Sequence, residues 1–306
     1  MTRRVGFIGA GLMGHGVAKN ILKKGYPLTL LGHRNRAPVD DLLGRGAAEA
    51  RSAAELARAS DVVFTCLPNS HVVERVVLGP GGVLEGAREG LIVVDLTTAE
   101  PAATLRLGEA LAARGVRLLD APMTLTPKEA EAGRLNLLVG GERALFEELR
   151  PLFETFNEQI FYIGPLGSAH TLKLINNFLS IGTNALVIEA ITTALKAGVD
   201  PKMMRQVISV SGGNSVSFQR LSSFVAGEPS AGGGAFSIEN ALKDISYFVR
   251  LSEANATYTP VADTIRRFYG LAVALGYGEE MLPQLFRLQG QLSRVEIRIA
   301  DGVDQA

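Results

Sequence analysis

Val5-Gly6-Phe7-Ile8-Gly9-Ala10-Gly11-Leu12-Met13-Gly14 is the stretch whose reading decides the fold of this 306-residue chain. A short β-rich run enters three glycines spaced G-x-G-x-x-G, and Leu12 to Lys24 then reads as a helix ended by Gly25. In that strand–turn–helix setting each glycine has a physical task. The first allows the tight turn, the second lets the backbone approach a pyrophosphate, and the third lets helix and strand pack closely. The unpaired N–H groups at the helix start face the anion. A purely structural turn is the bland alternative. The setting favours a dinucleotide site built from Gly9, Ala10, Gly11, Leu12, Met13 and Gly14.

Outward from this turn, strands are expected at Leu28–Leu31, Val62–Cys66, Leu91–Asp95, Val116–Asp120, Leu135–Val139 and Ile160–Ile163. Helical stretches lie between them, at Ala53–Ala59, Pro101–Arg114 and Arg143–Phe156. Strands alternating with helices predict an α/β fold, a doubly wound Rossmann-type parallel sheet covered on both faces. After Gly164 the pattern turns helical. Ser168 to Ala197 carries no proline and stops at Gly198, a helix roughly 40 Å long at about 1.5 Å per residue, enough to link two domains. Further helices are expected at Lys202–Ser209, Ile238–Asn255, Pro260–Leu275 and Glu279–Leu292, with a mobile loop at Ala231-Gly232-Gly233-Gly234-Ala235. The expected domains are therefore 1–164, nucleotide-binding, and 165–306, an all-α domain beginning with the long interdomain helix.

Composition narrows the class. Hydrophobic residues make up 47% and charged residues 20%, as in a soluble globular protein, and 31 basic residues balance 31 acidic ones. Neither nucleic acid nor a membrane surface has an electrostatic case. No signal peptide is visible at the N-terminus, no apolar run approaches the roughly 20 residues of a bilayer span, and the expected location is cytoplasmic. Cys66, the single cysteine, reads as a buried structural thiol, and His15, His33, His71 and His170 lack metal-ligand spacing.

The run leaving the second strand, Leu30-Leu31-Gly32-His33-Arg34-Asn35-Arg36, holds no carboxylate until Asp40. An acid there would receive a ribose 2′-hydroxyl, whereas arginine suits a 2′-phosphate. His33, Arg34 and Arg36, with Arg34 first, therefore point to NADP(H) in preference to NAD(H). Their alternative reading is a solvated loop. A second informative run is Gly167-Ser168-Ala169-His170-Thr171-Leu172-Lys173-Leu174-Ile175-Asn176-Asn177. Lys173, Asn176 and Asn177 share one helix face, and an amine among apolar neighbours is costly to bury unless it is paired or used. A lysine snorkelling from a wet helix face is the alternative.

These motifs, with Asp95-Leu96-Thr97-Thr98-Ala99-Glu100-Pro101, Asp120-Ala121-Pro122 and Lys243-Asp244, come in an order that resembles the β-hydroxyacid dehydrogenases over nearly the whole chain. The resemblance implies an NAD(P)-dependent oxidoreductase that interconverts a small β-hydroxy acid and its semialdehyde or keto acid. It implies Lys173 as the general acid/base and Asn177 as a substrate contact. Thr98 is implied beside the nicotinamide ribose, Leu67-Pro68 over the adenosine, and Lys243 toward the cofactor. It also implies a homodimer or homotetramer. One departure bears on substrate. The family's Ser-Gly-Gly, which receives the substrate carboxylate, reads Thr124-Leu125-Thr126 here. Thr124 keeps a hydroxyl, whereas Leu125 and Thr126 should constrain the backbone and fill space. A non-catalytic NADP(H) or metabolite sensor is the competing class, and retention of Lys173, Asn177 and Thr98 argues against it.

Overall fold

A computed structural model of the protein describes residues 2–228 and 236–297, so the expected loop at 231–235 lies outside the described residues. The chain divides into two compact units, Met1–Lys173 and Leu174–Ala306. In the first unit the order is β1 (Val5–Ile8), α1 (Gly14–Lys23), β2 (Leu28–Leu31), α2 (Ala37–Gly44), β3 (Ala48–Ala50), α3 (Ala53–Arg58), β4 (Val62–Thr65), α4 (Ser70–Leu78) and α5 (Val83–Gly86). There follow β5 (Ile92–Asp95), α6 (Pro101–Ala112), β6 (Arg117–Asp120), β7 (Met123–Thr124), α7 (Pro127–Ala132), β8 (Leu135–Gly140), α8 (Arg143–Phe153) and β9 (Asn157–Gly164). α9 (Ser168–Lys196) begins here and runs across the division.

The strand order is β3-β2-β1-β4-β5-β6-β8-β7, with β9 on β8. The six strands β1 to β6 are parallel, while β8 runs antiparallel to β6 through Asp120 and Gly140. The sheet is thus doubly wound and mostly parallel. Side chains alternate between its faces, as the two-residue strand period requires. Val5 and Phe7, Val62 and Phe64, Ile92 and Val94 enter one core, covered by Val17 and Ile21 of α1 and by Leu149 and Phe153 of α8. Ile8, Val63 and Val93 enter the opposite core, beneath Leu56 of α3, Val77 of α4 and Leu111 of α6. A sheet buried on both faces explains why these strands read as continuous apolar runs.

The second unit is helical: the remainder of α9, then α10 (Pro201–Ser209), α11 (Val216–Ala226), α12 (Ile238–Ala254), α13 (Pro260–Ala274) and α14 (Leu285–Ser293). Ile188 and Ile191 of α9 join Leu221, Ile245, Tyr269 and Phe286 in its core. The Tyr269 hydroxyl donates to the Ile181 carbonyl at 2.9 Å, and burial pushes its phenol well above the usual range.

Several elements differ from expectation for physical reasons. The last helix starts at Leu285 instead of Glu279. Residues ahead of it pair with the start of α12 (Ile238 N–H to Glu280 O and Leu282 N–H to Phe236 O, 2.9 and 3.1 Å), and Leu282–Gln284 forms a 3-10 turn. β4 ends at Thr65, leaving Cys66 half-buried in the following turn. The expectation that no segment reaches membrane-spanning length is corrected by α9, which is long and apolar enough by length and composition alone. Its apolar residues have another use, since Leu174, Ile181, Ile188 and Ile191 are all core.

The start of α9 is set by a carboxylate. Asp120, fully buried at the end of β6, accepts from the Gly167 N–H and the His170 N–H, each at 2.8 Å. It satisfies donors that a helix N-terminus leaves without intrahelical partners. Asp120→Asn, which gives up the charge-assisted bonds, is expected to destabilise the first unit by about 1–3 kcal/mol, read by urea or thermal unfolding. An unchanged midpoint would contradict this role.

Acid sensitivity follows from a second carboxylate. Asp61 accepts from the Arg4 backbone and guanidinium, and also pairs with Arg88; these partners hold its carboxyl down at about 2. A carboxyl depressed on folding contributes stability that is present above its unfolded pKa, near 4, and lost as pH falls toward 2. Asp61→Asn should therefore lower the unfolding midpoint at pH 7 and flatten its decline between pH 4 and 2. An unaltered slope in that window would count against it.

Candidate active site

In an open parallel sheet, ligands bind outside the carboxyl ends of the strands, where the strand order reverses. Here β1 and β4 are neighbours and the chain winds outward from them in both directions. The turn after β1 has the form its glycines imply. Gly9 adopts φ +103°, and a Cβ there would stand 2.1 Å from the Cys66 carbonyl oxygen. A Cβ on Gly14 would meet the Gly9 carbonyl oxygen at 2.0 Å, whereas one on Gly11 would have no atom within 4 Å. Two glycines are thus required by close backbone approach, and the middle one leaves open space where a pyrophosphate would lie.

α1 begins at Gly14 without a side-chain cap, two residues later than expected, and Leu12 is 70% exposed. The first helical bond joins the His15 N–H to the Gly11 carbonyl at 2.9 Å. The preceding Leu12 and Met13 amides therefore belong to the set a helix start offers to an anion. Ala10 is half-buried between the two outer glycines. The donor set fits a dinucleotide phosphate.

Beyond β4 and β5 a polar chain fixes two further loops. Asp95, buried at the end of β5, accepts from the Thr65 hydroxyl at 2.8 Å and the Thr97 N–H at 3.0 Å. The Thr97 hydroxyl in turn accepts from the Leu67 N–H at 3.0 Å. Burial pushes the Asp95 carboxyl upward, against the pull of His170 and of these hydrogen bonds. Thr97 therefore ties the Leu67-Pro68 loop to the strand end. Thr98 follows it, half-buried.

Next in the sheet, Asp120 holds the first turn of α9. The His170 ring is fully buried, with Nδ1 2.7 Å from the Thr104 hydroxyl and 3.9 Å from Asp120 Oδ2. Lys173 stands three residues further on, half-buried on the same helix. Asp95, Asp120 and His170 were absent from the expected site set. Their signal lay in the sequence as carboxylates closing two strands and a histidine one turn before the lysine. Only the strand register, which pairs Asp95 with Asp120, brings the two strand ends together.

Four expected contacts are differently employed. Asn177 is buried, donates to Asp244 Oδ2 at 2.6 Å and accepts from Asn176 at 3.2 Å. Lys243 lies 3.3 Å from the other oxygen of Asp244 and 5.8 Å from the Tyr247 ring centroid. A chain Asn176–Asn177–Asp244–Lys243 results, in which Asp244 is the residue sequence reasoning left out. Thr126 precedes α7, and its N–H and hydroxyl both engage Glu129. Its hydroxyl is committed to starting that helix. Arg36 is held by Glu49 at 2.5 Å and Asp40 at 2.9 Å, whereas His33 and Arg34 are exposed.

The substrate-loop departure has a specific geometry. Thr124 is half-buried on β7 opposite Asn136, and Leu125 adopts φ +81° with its side chain 52% exposed. That region favours glycine, so Leu125 keeps a glycine-like backbone at a cost of about 1–2 kcal/mol. Thr126, at φ −120°, is extended.

Known proteins resemble this chain over nearly its whole length. Residues 4–164 match the NAD binding domain of 6-phosphogluconate dehydrogenase, and residues 167–288 match the family described as NAD-binding of NADP-dependent 3-hydroxyisobutyrate dehydrogenase. The 2-(hydroxymethyl)glutarate dehydrogenase of Eubacterium barkeri is 31% identical over 299 residues, covering 96% of this chain and 97% of its own. The NAD-dependent L-serine dehydrogenase of Pseudomonas aeruginosa is 32% identical over 286 residues, covering 90% and 94%. The crystal structure of 3-hydroxyisobutyrate dehydrogenase from Salmonella typhimurium superposes with a TM-score of 0.81 at 26% identity, over 93% of this chain and 99% of that one. The glycine turn, the strand-end aspartates and the lysine helix thus lie in a chain that belongs to the β-hydroxyacid dehydrogenase family, an NAD(P)-dependent oxidoreductase.

Proposed function

We propose that the protein interconverts a small β-hydroxy acid and its semialdehyde or keto acid, prefers NADP(H), and uses Lys173 as general acid/base. The observation that carries this reading is the placement of Lys173 on a helix turn anchored by Asp120. A proton donor must be held within a few tenths of an ångström of its productive position, and a helix start pinned through a buried carboxylate supplies such rigidity. When bound, the reduced nicotinamide supplies a hydride to the carbonyl carbon. The Lys173 ammonium donates a proton from Nζ to the carbonyl oxygen. In the opposite direction the neutral amine takes the hydroxyl proton.

Exposed Arg34 supports NADP(H): it is a guanidinium at the end of β2, whereas Arg36 is clamped by Glu49 and Asp40. Thr124 is the hydroxyl offered to the substrate carboxylate, while Asn177 acts by fixing Asp244 and Lys243. Leu125 supplies an apolar surface beside Thr124, and its strained backbone supports a role in selecting substrate, since such strain persists where function uses it.

Lys173→Ala should lower kcat by about 10²–10⁴-fold on the best substrate from a panel of short semialdehydes and keto acids. Its NADPH dissociation constant should stay within about twofold, by fluorescence titration. Near-normal turnover would overturn the assignment. Leu125→Gly relieves the positive φ and should raise stability by up to about 1 kcal/mol in urea unfolding. It should also reorder kcat/KM among acids differing in apolar bulk. A destabilised variant with the same ranking would contradict the role given to Leu125.

A further inference from the structure

The end of β2 carries a carboxylate that its own sequence lacks. Gly32, the first residue beyond the strand, occupies the place where an acid would receive a ribose hydroxyl. A Cβ built on Gly32 would stand 2.1 Å from Glu49 Oε1 and 2.4 Å from Arg36 Nη1. The volume of the missing side chain is therefore filled by an ion pair whose acid comes from the adjacent strand. β3 pairs with β2 in register, Glu49 opposite Leu30, which fixes where that acid starts.

The pair is two-pronged. Arg36 Nη1 donates to Glu49 Oε1 at 2.5 Å and Nη2 to Oε2 at 3.0 Å, while Nη2 also reaches Asp40 Oδ1 at 2.9 Å. Fork-to-fork contact of this kind fixes direction as well as charge. The guanidinium holds Glu49 below the usual carboxylate range, so the acid is ionised throughout the neutral region. Formal charge around the strand end then sums to zero, with Arg34 and Arg36 against Asp40 and Glu49. A 2′-phosphate, carrying close to two negative charges, meets one uncommitted arginine and two carboxylates. A 2′-hydroxyl meets a carboxylate in the place where it needs an acceptor.

We infer that Glu49 sets the cofactor selectivity of this site. It restrains Arg36 from the 2′-phosphate and offers an acceptor to the 2′-hydroxyl, so that the protein binds NAD(H) as well as NADP(H). The inference rests on the nucleotide site proposed above, but not on which cofactor is preferred. As a mostly solvent-facing pair, Glu49–Arg36 contributes little to folding stability. Its substitution therefore reads out on binding.

The test is direct binding of NADPH and NADH by fluorescence titration, without substrate, to the wild type, Arg34→Gln, Glu49→Gln and Glu49→Gln/Arg36→Gln. Glu49→Gln should raise the ratio Kd(NADH)/Kd(NADPH) at least about fivefold over wild type, by leaving Arg36 held by Asp40 alone and exchanging a charged acceptor for a neutral amide. The double variant should lose the gain in NADPH affinity, since that guanidinium is gone. A ratio within twofold of wild type for Glu49→Gln, or an NADPH gain that survives in the double variant, would overturn the inference. Wild-type preference and its loss in Arg34→Gln report separately on the NADP(H) reading. A wild type preferring NADH would sink that reading while leaving the Glu49 comparison intact. Thermal unfolding of each variant identifies any loss of fold.

Discussion

A buried carboxylate and two backbone N–H groups decide where the lysine helix begins. Burying Asp120 without partners would be prohibitive. The Gly167 and His170 amides, at the positive end of a 29-residue helix, offset that cost. The same solution recurs one strand away, where Asp95 gathers the Thr65 hydroxyl and the Thr97 amide. Because β5 and β6 are in register at these residues, two buried acids brace the edge formed by the carboxyl ends of these interior strands. Between them they set the Leu67-Pro68 loop, the Thr97-Thr98 segment and the turn that precedes Lys173.

Rigidity at that edge contrasts with the exposed ends of β2 and β7. There charge and strain take the place of burial. Arg36 is clamped by acids from α2 and β3, and Leu125 holds a backbone conformation that glycine would adopt freely. The same division suits a family whose members share a reaction and differ in substrate and nucleotide. Under the function proposed above, the reaction would depend on parts fixed by buried hydrogen bonds, and selectivity on parts that a single surface substitution can alter.

Much of this was legible in the chain. Glycines in G-x-G-x-x-G order, apolar strand runs and the proline-free stretch after Gly167 announce the doubly wound sheet and the long helix, because each is local. What escaped depends on pairing between distant residues. β3 is three residues of Ala-Glu-Ala, a helix-favouring composition held as strand only by β2, so Glu49 could not be read as a neighbour of Gly32. α4 contains two Val-Val pairs that suggest a strand, yet Asn69 caps its start by accepting from the Val72 N–H. Asn177 carries the right chemistry for a substrate contact, and only three-dimensional packing reveals that Asp244 already engages it. The hold of Glu129 on Thr126 is instead a local Thr-x-x-Glu capping box that the sequence itself displays. Residue type predicts what a side chain can do, and tertiary partners decide whether it is free to do it.

Chemical rescue tests the central claim about Lys173 most directly. With Lys173→Ala saturated in cofactor and the best substrate of the panel, small primary amines of graded basicity would be added to the assay. If the lysine amine moves the proton, turnover should recover in proportion to amine concentration and vary systematically with amine pKa. Tertiary amines of the same basicity but larger bulk should rescue less. Cofactor and substrate binding with no rescue by any amine, or rescue indifferent to amine basicity, would contradict the account.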